Sequence, residues 1–192
     1  MARNSSVALS LIRHMGDSRI TRTSAGVLIP VYRDDEGGLR LILIRRSEQG
    51  IHGGQLAFPG GKHDRGDTTM VATALREAYE EIGLAPEGVT VLASLPCVDT
   101  MTSNFRLFPF LASIVPPITW MPEVKEVSEV IDTSLTDLTR ADRHGEEMMM
   151  FPQWPRPYRV PFYMVGKHLL WGATYRILRP LLPRILAGEW DI

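Results

Sequence analysis

A single cysteine, Cys97, stands in 192 residues, so no intramolecular disulfide can form and no CxxC or Cys/His spacing offers a zinc site. A reducing compartment follows as the expectation, and a buried place at the end of a valine-rich strand suits this lone thiol better than the role of nucleophile. No apolar run reaches the length of a membrane-spanning helix, and no membrane partner is expected. Charge of one sign is missing too: 21 Lys plus Arg against 22 Asp plus Glu leave a formal charge of -1. That balance excludes the broad positive field of a nucleic-acid binder and leaves room only for a local site for an anionic ligand. Repeats and low-complexity linkers are absent. The chain ends Glu189, Trp190, Asp191, Ile192, which is not a peroxisomal signal, and the cytoplasm is the expected location.

What is present is ordinary globular material, 44% hydrophobic and 22% charged, in a length that suits one domain. Residues 1–22, with Arg3, Arg13, Arg19 and Arg22 around the apolar run from Val7 to Ile12, read as an amphipathic helical extension packed on a domain spanning 23–192. Thr23 to Tyr32 and Leu39 to Arg46 are β-rich runs joined by Asp34, Asp35, Glu36, Gly37 and Gly38, the pattern of a hairpin. Gly50, Gly53, Gly54, Gly60 and Gly61 make the next segment too glycine-rich for regular structure, except for a short strand at Gln55 to Phe58. Thr69 to Ile82 turns helical, with Met70, Ala74, Ala78 and Ile82 on one stripe and Gly83 placed to end it.

Val89 to Cys97 and Phe105 to Val115 read as further strands, followed by prolines, the acidic stretch Glu123 to Glu129, and a short helix at Leu135 to Arg140. Met148 to Val165 reads as a hairpin edged by prolines, and Val165 to Ala187 as a helix interrupted or bent near Pro180 and Pro183. Interleaved strands and helices of this kind favour one α/β or α+β domain.

The chemistry concentrates between Ala57 and Leu84. Glu77, Glu80 and Glu81 lie at i, i+3 and i+4, so a helix presents all three carboxylates on one face. Such a face is either a solvated acidic surface or the seat of a hard divalent cation such as Mg²⁺ or Mn²⁺. The preceding loop favours the cation. Gly60 and Gly61 let the backbone bend tightly and offer a carbonyl, while Lys62 brings positive charge alongside, so a metal and a phosphate fit together. Arg76 can orient one carboxylate.

Gly61, Arg76, Glu77, Ala78, Glu80, Glu81, Gly83 and Leu84 match the signature of the Nudix hydrolase family, which the chain resembles. Asp67 stands where that signature has its first glutamate, and eight residues rather than seven separate it from Arg76. An aspartate with a longer spacer is similar to the coenzyme A pyrophosphatase branch. That branch is also resembled by Arg46, Ser47, His52, Gly54, Gln55 and the run Phe58, Pro59, Gly60, Gly61, and by Trp171, Gly172, Thr174 and Arg176. The stretch between Ser47 and Gly54 is one residue short of the branch pattern and has Gly50 and Ile51 in place of a Leu-Arg pair.

The resemblance implies an α/β/α sandwich with a mixed β-sheet flanked by helices, and hydrolysis of the pyrophosphate of coenzyme A to 3′,5′-ADP and phosphopantetheine. The alternative it implies is another nucleoside diphosphate derivative, such as ADP-ribose, NADH or a nucleotide. A non-catalytic binding module is disfavoured by three retained carboxylates. By resemblance, Glu77 and Glu81 are the primary ligands of Mg²⁺ or Mn²⁺, Glu80 a third ligand or helper, and the Gly60 carbonyl a further ligand. Arg76 holds a glutamate in place, and Glu126 is the general base, chosen over Glu123 and Glu129. Arg46, His52, Gln55 and Lys62 are the expected substrate contacts. Arg45 and Arg46 point to opposite sides of a strand, so only one of them can face the diphosphate directly, and Arg46 is the choice. The C-terminal helix and the apolar hairpin offer a surface on which a homodimer could form.

Overall fold

The structure, a computed structural model, describes residues 22–49, 53–150 and 155–192. Expectations for residues 1–21 and for Gly50, Ile51 and His52 therefore lie outside the described residues.

Alternating apolar side chains build the centre of the sheet. Strand β1 (Thr23–Arg33) and strand β2 (Leu39–Arg46) are almost wholly buried along their middles and pair antiparallel, as the hairpin reading predicts. Two short strands follow, β3 (Leu56–Ala57) on β2 and β4 (Gly60–Lys62) on β1. Helix α1 (Met70–Ile82) comes next, then β5 (Val89–Ser94), β6 (Val98–Asp99) and β7 (Phe105–Ile114). Strand β7 runs parallel to β1 over nine residue pairs, which makes the sheet mixed, and β5 and β6 pair antiparallel with β7. Strand β8 (Val127–Ser134) closes the other side against β2. A second, three-stranded sheet follows, made of β9 (His144–Met149), β10 (Tyr158–Val165) and β11 (His168–Leu170), and helix α2 (Gly172–Leu186) ends the fold.

The two-residue period of the strands sorts their side chains into two cores. Leu28, Ile42, Ile44, Phe110, Ala112 and Ile114 pack under α1 with Ala74, Ala78 and Ile82. Ile29, Val31, Leu41, Leu43 and Leu111 face the other way, onto Tyr175, Leu178, Leu181 and Leu182 of α2. The result is the expected α/β/α sandwich, a mixed sheet between two helices. Each fully buried Leu or Ile in these layers contributes roughly 1.5–3 kcal/mol of transfer free energy.

Helix α1 has the ends its sequence announces. The Thr69 hydroxyl accepts from the Ala72 N–H, and Gly83, at φ 72°, turns left-handed and donates back to the last turn. Five readings need correction. Gly60 and Gly61 are not loop but strand β4, held by β1. Val127–Ser134 is a strand, not just an acidic run, and the short helix expected at Leu135 to Arg140 is two 3₁₀ turns at Asp137–Thr139 and Ala141–Arg143. The helix read from Val165 begins only at Gly172, because Gly166, at φ 57°, reverses the chain into β11; it then runs unbroken past Pro180 and Pro183, which face solvent. Cys97 is exposed, beyond the end of β5.

Candidate active site

Strand β4 and helix α1 meet edge to face, and their meeting point carries the carboxylates. Glu81 is buried, with 3% of its side chain exposed. The Gly60 N–H donates to its Oε2 at 2.8 Å, and Arg46 Nη1 lies 3.9 Å from its Oε1. Burial first, then the charges of Glu77 and Glu126, push the Glu81 carboxyl up to about 8, against the pull of Gly60 and Arg46. Glu77 is likewise raised, by burial most and by Glu80 and Glu126, with Arg76 opposing. The Glu126 charge thus acts on both the buried Glu81 and the half-buried Glu77. Its own place is exposed, in the turn before β8, and its carbonyl accepts from the Ser47 N–H at 2.8 Å.

Arg76 is the hub of the surrounding network. Its Nε and Nη2 grip Asp67 through both carboxylate oxygens, at 2.9 and 3.0 Å. The same guanidinium donates to Glu77 and Glu80, at 2.9 Å each, and to the Lys62 carbonyl at 3.2 Å. Asp67, 6% exposed, also accepts from the Thr73 hydroxyl at 2.9 Å, and His63 Nδ1 lies 2.8 Å from that hydroxyl. Arg76 first and the hydrogen bonds of Asp64 and Thr73 next hold Asp67 well below the usual carboxylate range. An aspartate is one methylene shorter than a glutamate, and Asp67 is fixed by a turn closed by its N–H on the Asp64 carbonyl and by the Asp64 N–H on its side chain.

Of the residues singled out from sequence, Arg46, Gly60, Arg76, Glu77, Glu81 and Glu126 come to this corner. Glu80 belongs to it through Arg76 while remaining exposed. Lys62 is exposed and contributes its carbonyl to Arg76. Gln55 lies beside Arg46, whose N–H donates to its carbonyl at 3.0 Å. Arg45 is on the opposite face, paired with Glu48 and near Ser128. Asp67, Thr73 and His63 were not among the candidate site residues. A departure from a motif at Asp67 was the available signal, and the double grip of Asp67 on Arg76 is what gives it meaning.

Among the described residues, no three His, Cys, Asp or Glu side chains are gathered as a ready cage for a metal. Arg76 draws Glu77 and Glu80 toward itself, and Arg46 faces Glu81. The donor set nevertheless fits a hard divalent cation: a buried carboxylate burdened by two like-charged neighbours is relieved by one, and oxygen donors are what Mg²⁺ and Mn²⁺ take. Gly61 leaves the necessary room. A Cβ there would stand 2.4 Å from Glu77 Oε2, so Gly61→Ala should displace that carboxylate and lower activity by about ten- to a hundredfold, read as kcat/KM with the melting temperature as control.

Sheet, helix and carboxylate cluster together define a hydrolase of the α/β/α sandwich class with its acidic helix at the sheet edge. Residues 22–150 match the model of the NUDIX domain family. The chain is 34% identical over 166 residues to an uncharacterized Nudix hydrolase, NudL, from Enterobacter sp. (strain 638), which covers 86% of this chain and 84% of the relative. In fold it is similar to a MutT/nudix family protein from Enterococcus faecalis, with a TM-score of 0.61 at 18% identity over 96% of this chain and 71% of that one. It is also similar to a Nudix hydrolase from M. Smegmatis, RenU, with a TM-score of 0.52 at 21% identity over 62% and 74% of the two chains. The chain belongs to the Nudix family. It is a Nudix-fold pyrophosphohydrolase. No helix among the described residues is long and apolar enough to cross a membrane.

Proposed function

We propose that the protein hydrolyses the pyrophosphate bond of coenzyme A or its derivatives, giving 3′,5′-ADP and phosphopantetheine, with Mg²⁺ or Mn²⁺ as cofactor. The observation that carries the hydrolytic chemistry is the approach of Glu77, Glu81, Arg46 and Glu126, from a helix, a strand end and a turn, to one corner of the sheet. The choice of coenzyme A rests on Arg46, Ser47, Gln55 and the run Phe58 to Gly61, with Asp67 and its longer spacer. The broader reading, another nucleoside diphosphate derivative, needs only the family's chemistry.

Glu77 and Glu81 would hold the cation, with Glu80 and the Gly60 carbonyl as further ligands. When bound, it neutralises charge developing on the phosphoryl oxygens and acidifies water. Arg76, anchored on Asp67, keeps Glu77 and Glu80 in register. Glu126 takes the proton of the attacking water as its oxygen bonds to phosphorus and the bridging P–O bond breaks, with no covalent intermediate. Arg46, Gln55, Lys62 and His52 serve the substrate, Arg46 through its charge beside Glu81.

The test incubates the protein with Mg²⁺ or Mn²⁺ and coenzyme A, dephospho-coenzyme A, ADP-ribose, NADH or nucleoside triphosphates, and resolves products by chromatography. 3′,5′-ADP formed from coenzyme A ahead of every other turnover is the expected result. Cleavage of a different diphosphate with coenzyme A untouched overturns the substrate and keeps the broader reading.

A further inference from the structure

At the same end of the sheet as the loop after β4, but two strands across, three arginines from three segments meet one aspartate. Arg106, at the start of β7, grips Asp99 of β6 through Nε, 2.8 Å from Oδ1, and Nη2, 3.1 Å from Oδ2. Arg22, just ahead of β1, brings Nη1 to 3.4 Å from Oδ2. Arg176 of α2 donates to the Asp99 backbone carbonyl at 2.8 Å. The Arg22 Nε is buried and makes no hydrogen bond to a described residue.

One arginine satisfies one carboxylate when the contact is bidentate, as it is for Arg106. Arg22 and Arg176 are then surplus, and a surplus of guanidinium charge held by a sheet and a helix is a place for a dianion. Its position ties it to the active site. Arg106 is the parallel partner of Ser24, and the Ser24 carbonyl accepts from the His63 N–H, beside Lys62. Two strand spacings, roughly 10 Å, separate the backbones of Arg106 and His63.

We propose that Arg22, Arg106 and Arg176 form a subsite for a phosphate monoester carried on the nucleoside end of the substrate, away from the bond that is cleaved. The inference rests on the diphosphate-hydrolase reading and deepens it: the subsite selects a substrate with a phosphate beyond its diphosphate. Asp99 fixes Arg106 through Nε and Nη2 and leaves its Nη1 for the incoming dianion, and Arg22 and Arg176 close on it from the strand and helix sides.

Calorimetric titration of the metal-free full-length protein tests this without turnover, using 3′,5′-ADP, 5′-AMP and inorganic phosphate. The wild type should bind 3′,5′-ADP about tenfold or more tightly than 5′-AMP, and Arg106→Gln and Arg176→Gln should each bring that ratio close to one. Arg176 is exposed, so its variant serves if Arg106→Gln fails to fold. A wild-type ratio of one, or a ratio that survives both substitutions, overturns the subsite. Inorganic phosphate binding as tightly as 3′,5′-ADP, and lost with it in the variants, overturns the substrate role and leaves a free-anion site. If the wild type shows the preference and the variants lose it while coenzyme A is not hydrolysed, the subsite stands and the coenzyme A reading falls.

Discussion

Replacing Glu81 by glutamine should abolish metal-dependent turnover, by about 10³-fold or more, while making the metal-free protein more stable in alkaline solution. The first effect follows from removing the most deeply buried of the proposed ligands. The second follows from protons. The Glu81 carboxyl stands at about 8 in the folded chain, above its ordinary value of 4.5. Between those values the folded state holds a proton that the unfolded state has released, so this group's contribution to stability is complete below pH 4.5 and lost as pH rises through 8. The difference sets an upper limit of about 5 kcal/mol, part of which local relaxation will absorb. Glutamine keeps an oxygen for the Gly60 N–H and carries no charge at any pH. The melting temperature of the variant minus that of the wild type should therefore grow by about 5 °C or more between pH 5 and pH 9, in chelator. Addition of Mn²⁺ should raise the wild-type melting temperature and leave the variant's where it was. A difference that does not vary with pH would show that Glu81 is not held protonated in the metal-free fold.

Asp67→Asn should cost about 3 kcal/mol, or roughly 6–12 °C in melting temperature, although Asp67 is not among the expected substrate contacts. Its carboxylate takes both arms of Arg76, and the amide of asparagine cannot reproduce that grip. The Asp67 contribution is fully present above the ordinary carboxylate range and disappears only in strong acid, since its folded value is depressed. Arg76, released on one side, would then be free to follow Glu77 and Glu80, and the concentration of Mg²⁺ giving half-maximal rate should rise by about ten- to a hundredfold. A stable variant with an unchanged metal requirement would argue that Arg76 is positioned from the helix alone.

Helix α1 and its three glutamates were legible because every signal for it is local: a threonine cap, an apolar stripe, a glycine stop. That Arg45 and Arg46 point to opposite sides was legible for a similar reason, the alternation of side chains along a strand. Strand β8 was not, because Glu129 and Asp132 interrupt its apolar pattern and it is exposed over much of its length, so only its pairing with β2 makes it a strand. Strand β11 was hidden by running straight into an amphipathic helix; Gly166 was the signal for the reversal. Cys97 defied its residue type by sitting past the last pairing of β5. Asp67 was visible as an irregular spacing, but its grip on both arms of Arg76 is a tertiary fact.

The pairing of β2 with β8 sets a schedule for the molecule's assembly. Arg45 and Ser128, neighbours across that ladder, are 83 positions apart in the chain, and β1 pairs with β7 across a similar gap. Closing such distances is entropically uphill until the long-range contacts form, so refolding should be slow for a domain this size. Glu77 and Glu81 arrive early, on one short helix. Glu126 reaches them only when β8 docks, and during refolding the return of enzymatic activity will trail the return of helical signal.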